Sequence, residues 1–193
     1  MKKNDFKIFE IGFNKCATRA VYVLIRSAGI PAMHWKRGDL ALDLEDAMSK
    51  NSTPFEKYEG IRFFSDIVYA DAKRVFEGYK QYKFLFEKFP DAKFIYNLRP
   101  KDAWLKSRAK HGNGFELNVY RNHLGLDTDD EVLKAWSDDW DNHLKEVKDF
   151  FEREGALERL LFINIESPDF DEISSFVEEK VDPASWEVVG KTQ

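Results

Sequence analysis

Lys15 stands in a short loop, Gly12-Phe13-Asn14-Lys15-Cys16-Ala17-Thr18-Arg19, between an apolar run and a stretch of helical periodicity. A loop that feeds a helix N-terminus offers unpaired backbone N–H groups and the positive end of the helix dipole. Lys15 adds a full positive charge, Thr18 adds a hydroxyl donor, and Gly12 permits a tight turn. Together these residues make an anion site. The loop departs from the glycine-rich loop that cradles Mg-nucleotides: no glycine precedes the lysine, and no Ser or Thr follows it directly. The competing reading is an ordinary strand-to-helix turn with an exposed lysine.

A second set of residues lies in Asn97-Leu98-Arg99-Pro100-Lys101-Asp102-Ala103-Trp104-Leu105-Lys106-Ser107-Arg108. Arg99 follows an apolar run, and Ser107 comes eight residues later, about two turns into the next helical stretch. A guanidinium and a hydroxyl converging in this way can hold a phosphate. Among the histidines, His34 is a possible base that could equally pack beside Trp35. His111 follows the Ser107 helix and reads as a partner for its C-terminal dipole. His143 falls on an apolar helical stripe and reads as a satisfied core residue. Cys16 is the only cysteine, which excludes a disulfide framework and a multi-cysteine metal site. It reads as a small loop residue that offers its N–H.

The elements that must carry these residues alternate between strand and helix. Residues 6–11, 61–67, 93–98 and 160–165 read as strands, and residues 18–28, 39–50, 70–89, 100–111, 128–154 and 170–179 as helices. Thr18 can cap the first helix and Gly29 can end it, while the third is interrupted at Gly78 and ends before Pro90. Thr128-Asp129-Asp130-Glu131 has the form of a capping box. It opens the longest helix, whose stripe is Val132, Trp136, Trp140, Leu144, Val147 and Phe151. Strands joined by helical crossovers imply an α/β fold, a central parallel sheet flanked by helices on both faces. Ligands bind such sheets at the C-terminal strand ends. The loop at residues 12–19, the region of Asp66 and the segment from Arg99 onward all fall there.

The chain of 193 residues fits one domain, and 43% hydrophobic and 15% aromatic content supports a substantial core. No run approaches a membrane span or a signal peptide, so a cytoplasmic protein without membrane contact is expected. The net charge of −5 is uneven: residues 127–182 hold 19 acidic and 6 basic side chains, so the rest of the chain is positive. A local positive field of this kind suits a small polyanion rather than nucleic acid.

Lys15 and Thr18, together with Arg99 and Ser107 at their spacing, resemble the sulfotransferase family. That family takes its sulfuryl group from 3′-phosphoadenosine 5′-phosphosulfate. The run FPDAKFIYNLRPKDAWLKSR is similar to the family's strand, arginine and serine pattern, and the stretch from Trp140 resembles the small bacterial branch. The resemblance implies a P-loop NTPase-like three-layer sandwich, residues 1–193 forming one sulfotransferase-like domain. It implies that Asn14, Lys15, Cys16, Ala17, Thr18 and Arg19 hold the 5′-phosphosulfate, and that Arg99 and Ser107 hold the 3′-phosphate. Lys191, in Gly190-Lys191-Thr192, resembles a donor-contacting tail. Lys15 would stabilise the leaving phosphate. Asp66, where the family places a catalytic His or acid, would be the base or orient the acceptor, the competing role being a helix cap or polar strand end. No metal is implied, and the acceptor is a small molecule or glycan. Its pocket is expected from residues 31–57 and 111–127. Two positions depart from the pattern: Ala17 stands where the family has glycine, and Arg19 where it has a second Thr or Ser. Alanine avoids positive φ, so the loop is expected in the right-handed helical region. The alternatives are a degenerate relative that binds the donor or 3′,5′-adenosine bisphosphate without turnover, and a P-loop small-molecule kinase.

Overall fold

The computed structural model describes residues 6–187. Its strands are β1 (Ile8–Glu10), β2 (Ala32–His34), β3 (Phe63–Ser65), β4 (Val68–Ala70), β5 (Val75–Glu77), β6 (Lys93–Leu98) and β7 (Leu160–Asn164). Its helices are α1 (Thr18–Ser27), α2 (Asp39–Lys50), α3 (Tyr82–Lys88), α4 (Lys101–Ala109), α5 (Phe115–Leu124), α6 (Asp129–Arg153) and α7 (Phe170–Val177). Five strands form one parallel sheet in the order β2-β3-β1-β6-β7.

The sheet is buried on both faces, which is why its strands read as continuous apolar runs. Successive residues point to opposite sides. Ile8, Phe63 and Ile95 pack with Val21, Leu24 and Ile25 of α1 and with Ile173 and Val177 of α7. Phe9, Phe64 and Phe94 pack on the other side with Leu40 and Leu44 of α2, Leu85 of α3, and Val147 and Phe151 of α6. The result is the expected three-layer α/β sandwich. A third cluster, with Phe13, Trp104, Tyr120, Trp136 and Trp140, joins α4, α5 and α6 beside the loop after β1. The capping box of Thr128 and Glu131 forms and opens α6.

β1 lies in the middle of the sheet. The chain leaves it toward β2 and β3 on one side, then returns across it to β6 and β7 on the other. This reversal of strand order places a crevice outside the C-terminal end of β1.

The structure differs from the sequence expectation in four places. Residues 70–77 are not helical: β4 and β5 form an antiparallel hairpin, and only α3 remains of the long helix. Valine and aromatic residues favour the strands. The Asp71 carboxylate accepts the N–H groups of Lys73 and Arg74 and closes the turn. β2 and α5 are further elements beyond those expected. Thr18 is the first residue of α1 rather than its cap: Ala17 occupies the cap position without a side-chain hydrogen bond. Among the described residues no helix is long and apolar enough to cross a membrane.

Candidate active site

The loop after β1 is held from beneath by three side chains. The carbonyl of Asn14 accepts from Trp104 Nε1 at 3.0 Å, that of Lys15 from Arg99 Nη1 at 2.7 Å, and that of Cys16 from Asn97 Nδ2 at 2.5 Å. The peptide bonds are trans. The N–H groups of Lys15, Cys16 and Ala17 therefore point away from these clamps. Among the described residues no backbone carbonyl accepts them. They are left for a ligand, next to the N-terminus of α1. Gly12 is required by close approach: a Cβ there would lie 1.9 Å from Asn97 Oδ1.

The expectation that Ala17 keeps the loop in the right-handed region is wrong. Ala17 has φ 60° and ψ 30°, and Lys15 has φ 62°. Three carbonyl clamps over-determine the loop, so both residues adopt the left-handed conformation despite the Cβ conflict. Alternating left-handed residues expose successive N–H groups on one side, the arrangement of an anion-binding nest.

A cavity of about 290 Å³ lies over this loop, lined by Asn14, Lys15, Ala17, Thr18, Arg19, His34, Asp66, Arg99, Ser107, His111 and Ile165. Each strand of the parallel sheet sends a residue into it from its C-terminal end or the turn that follows. Lys15 follows β1, His34 ends β2, Asp66 follows β3, Arg99 follows β6 and Ile165 follows β7. Lys15, Arg19 and Arg99 bring positive charge, and Arg99 Nε is buried without a partner. The charge is not uniform, because Asp66 faces the same space. Its φ of 54° adds a third left-handed side chain to the lining, and its Oδ1 is buried and unpartnered. Burial first, then the Glu116 carboxylate, push the Asp66 carboxyl up to about 7, against Lys15 and Arg19. A carboxyl titrating there can take up a proton near neutral pH.

His34 lies beside Asp66, with Nε2 3.7 Å from Oδ2 and Nδ1 2.9 Å from Ser65 Oγ. Burial and the Arg19 charge lower His34 to about 4. At neutral pH the ring is uncharged, and the contact is a polar one rather than a full ion pair. His111 does not serve the α4 terminus as expected: it lines the cavity, with Nδ1 3.2 Å from Lys15 Nζ. The core reading of His143 holds, since its Nε2 meets the Ile11 carbonyl at 2.8 Å and the residue is buried.

A buried ion network supports the loop from the side. Glu116 Oε1 accepts from Asn14 Nδ2 at 2.8 Å and from Arg108 Nε at 3.0 Å. Arg108 Nη2 reaches Glu77 Oε1 at 2.9 Å. Its guanidinium carbon lies 4.4 Å from the ring centres of both Tyr120 and Trp136. Burial opposes the Glu77 charge, but Arg108 and Lys80 outweigh it and hold Glu77 well below the usual carboxylate range. Asn97, Trp104, Arg108 and Glu116 were not read as site residues from the sequence. Asn97 carries the one local signal, a side-chain amide near the end of an otherwise apolar strand.

The structure thus brings together Asn14, Lys15, Ala17, Thr18, Arg19, Asp66, Arg99 and Ser107. The Cys16 side chain is turned into the core and burial raises its thiol, so only its N–H can serve the cavity. Lys191 lies outside the described residues. Among the described residues no group of three or more His, Cys, Asp or Glu side chains could hold a metal ion. A family model described as a sulfotransferase domain matches residues 7–138. That span holds the whole cavity lining except Ile165. No curated protein matches the chain.

Proposed function

The chain belongs to the sulfotransferase domain family, and from that premise we propose that it transfers a sulfuryl group from 3′-phosphoadenosine 5′-phosphosulfate to a hydroxyl or amine of a small-molecule or glycan acceptor. One observation carries the reading: the cationic loop and the proton-accepting Asp66 face each other across a single cavity. The donor set fits a nucleotide with two anionic ends. Outward N–H groups, Lys15 and Arg19 suit one phosphate-like end. Arg99, with its unpartnered Nε, and Ser107 suit the other.

When bound, the donor supplies a sulfuryl group whose bond to the 5′-phosphate oxygen breaks as the acceptor oxygen or nitrogen bonds to sulfur. Lys15 and the loop N–H groups stabilise the negative charge that gathers on the departing phosphate. Asp66 takes the acceptor's proton. Neutral His34, held by Ser65, lies beside the Asp66 carboxyl, 3.7 Å from its Oδ2. Thr18 Oγ1 adds a donor at the first turn of α1.

Transfer of labelled sulfate to a panel of phenols, amines and sugars tests the activity, alongside calorimetry with 3′,5′-adenosine bisphosphate. Lys15→Ala is expected to lower the rate by roughly 10²–10³ with the melting temperature little changed. Asp66→Asn is expected to abolish turnover while bisphosphate still binds. Bisphosphate binding with no transfer to any acceptor would favour the non-catalytic binder, which the Ala17 methyl in the cavity lining supports. Stabilisation by Mg-ATP alone would overturn the donor assignment.

A further inference from the structure

Lys15 and Asp66 line the same cavity and carry opposite charge. Left to themselves such groups pair, since an opposite charge at close range is the cheapest partner available to each. Direct pairing would disable both: the ammonium would be neutralised before any anion arrived, and the carboxylate would lose its affinity for a proton. The two do not pair in the structure. Lys15 Nζ rests 3.2 Å from His111 Nδ1, and Asp66 Oδ2 rests 3.7 Å from His34 Nε2. An ammonium only donates, so His111 Nδ1 accepts, which fixes the ring as neutral with its proton on Nε2. The turn that follows His111 uses residues that adopt a left-handed backbone at little cost. Gly112, Asn113 and Gly114 all have positive φ, at 58°, 55° and 83°.

We propose that His111 is a positioning residue that holds the Lys15 ammonium away from Asp66, so that the cavity keeps a free cation and a free base at once. The inference rests on the reading of Lys15 as the donor contact and Asp66 as the base. Beyond Lys15, Glu116 and Arg108 act on His111, and burial together with the Lys15 charge keeps its ring neutral by lowering its pKa. Asp66 is faced by Glu116, Lys15, Arg19, His34 and the buried Glu10. Of these, Lys15 is the cation that the His111 imidazole contacts.

The test is a carbon-13 NMR titration of the Asp66 carboxyl, with bisphosphate affinity measured by calorimetry on the same proteins. In His111→Ala the Asp66 midpoint is expected to fall by about one pH unit or more, the usual effect of a newly adjacent cation. The bisphosphate dissociation constant is expected to rise about tenfold, the same coupling seen from Lys15. His111→Asn places an acceptor oxygen near the Nδ1 position and is expected to stay near wild type in both. His111→Leu fills the space without an acceptor and carries the expectation of the alanine variant, should that one not fold. An Asp66 midpoint unmoved in folded His111→Ala or His111→Leu overturns the proposal. The titration needs no turnover. A chain that shows the shift but transfers no sulfuryl group would defeat the proposed activity and keep this inference, and an active chain with an unmoved midpoint would do the reverse.

Discussion

Ala17 shows how a single residue can disagree with its site and still serve it. Its left-handed backbone costs an alanine about 1–2 kcal/mol, while glycine there would lose about 0.4–1 kcal/mol through the entropy of the unfolded chain. Ala17→Gly is therefore expected to stabilise the protein by roughly 0.5–1 kcal/mol, a rise of about 1–4 °C in melting temperature for a chain of this size. It also removes a methyl group from the cavity lining, so bisphosphate affinity should hold or improve. Thermal melts of the two proteins with and without bisphosphate check both statements, and a lower melting temperature for the glycine variant would mean the loop is not held as described. The sequence already marked Ala17 as the odd residue of its loop. It could not show that the loop keeps its shape regardless, because that shape is imposed by Asn97, Arg99 and Trp104, more than eighty residues away along the chain.

The same division between local and distant causes runs through the elements. α2 and β6 have the bounds their sequence expects, and the capping box of α6 forms, because apolar spacing and end signals are local. The β4–β5 hairpin was not legible: its residues share an amphipathic pattern with α3, and what decides for strand is the Asp71 turn. The positions of Lys15, Arg99 and Ser107 were legible as strand ends and a helix face. Glu116 and His111 were not, because α5 and the turn before it gain their place by packing on α4, β5 and α6, elements distant or irregular in the sequence. The buried network of Arg108 with Glu77 and Glu116 ties α4, β5 and α5 into one body beneath the loop. Arg108→Met leaves buried Glu116 without a cation and Glu77 with Lys80 alone, so it is expected to destabilise the protein by about 3–5 kcal/mol. Adding Glu77→Gln and Glu116→Gln should restore more than half of that, because the uncompensated charge is gone. Urea unfolding of the single and triple variants measures the difference. A triple variant no more stable than the single one would place the cost in lost packing of the guanidinium between Tyr120 and Trp136 rather than in charge.

Across the whole molecule, buried titratable groups of opposite kind set the response to pH. Glu10 is buried in β1 with both carboxyl oxygens unpartnered, and burial, then Asp66, raise it well above its ordinary value of 4.5. Asp66 titrates at about 7 instead of 3.8. At pH values between the ordinary and the folded midpoint, the folded chain holds a proton that the unfolded chain has released, so each acid makes stability fall as pH rises. His34 and His143 act with the opposite sign. Burial lowers both from 6.5 to about 4, so in that interval the unfolded chain binds the proton and stability rises with pH. Glu77, held low, acts only below the usual carboxylate range. Between about pH 4.5 and 6.5 the raised acids Glu10, Asp66 and Asp139 therefore oppose the lowered histidines His34, His111 and His143, each worth up to about 1.4 kcal/mol per pH unit, and the wild-type curve should be nearly flat. Removing Glu10 and Asp66 exposes the histidines. In Glu10→Gln/Asp66→Asn, stability is expected to climb with pH by roughly 1–3 kcal/mol per unit over this interval, and to exceed wild type above neutral pH, where the native acids must ionise while buried. That gain accompanies loss of the proposed base, the usual opposition between stability and activity at a functional site. Urea unfolding at pH 4.5, 5.5 and 6.5 decides the matter, and a double variant as flat as wild type would show that the two carboxyls are not held protonated by the fold.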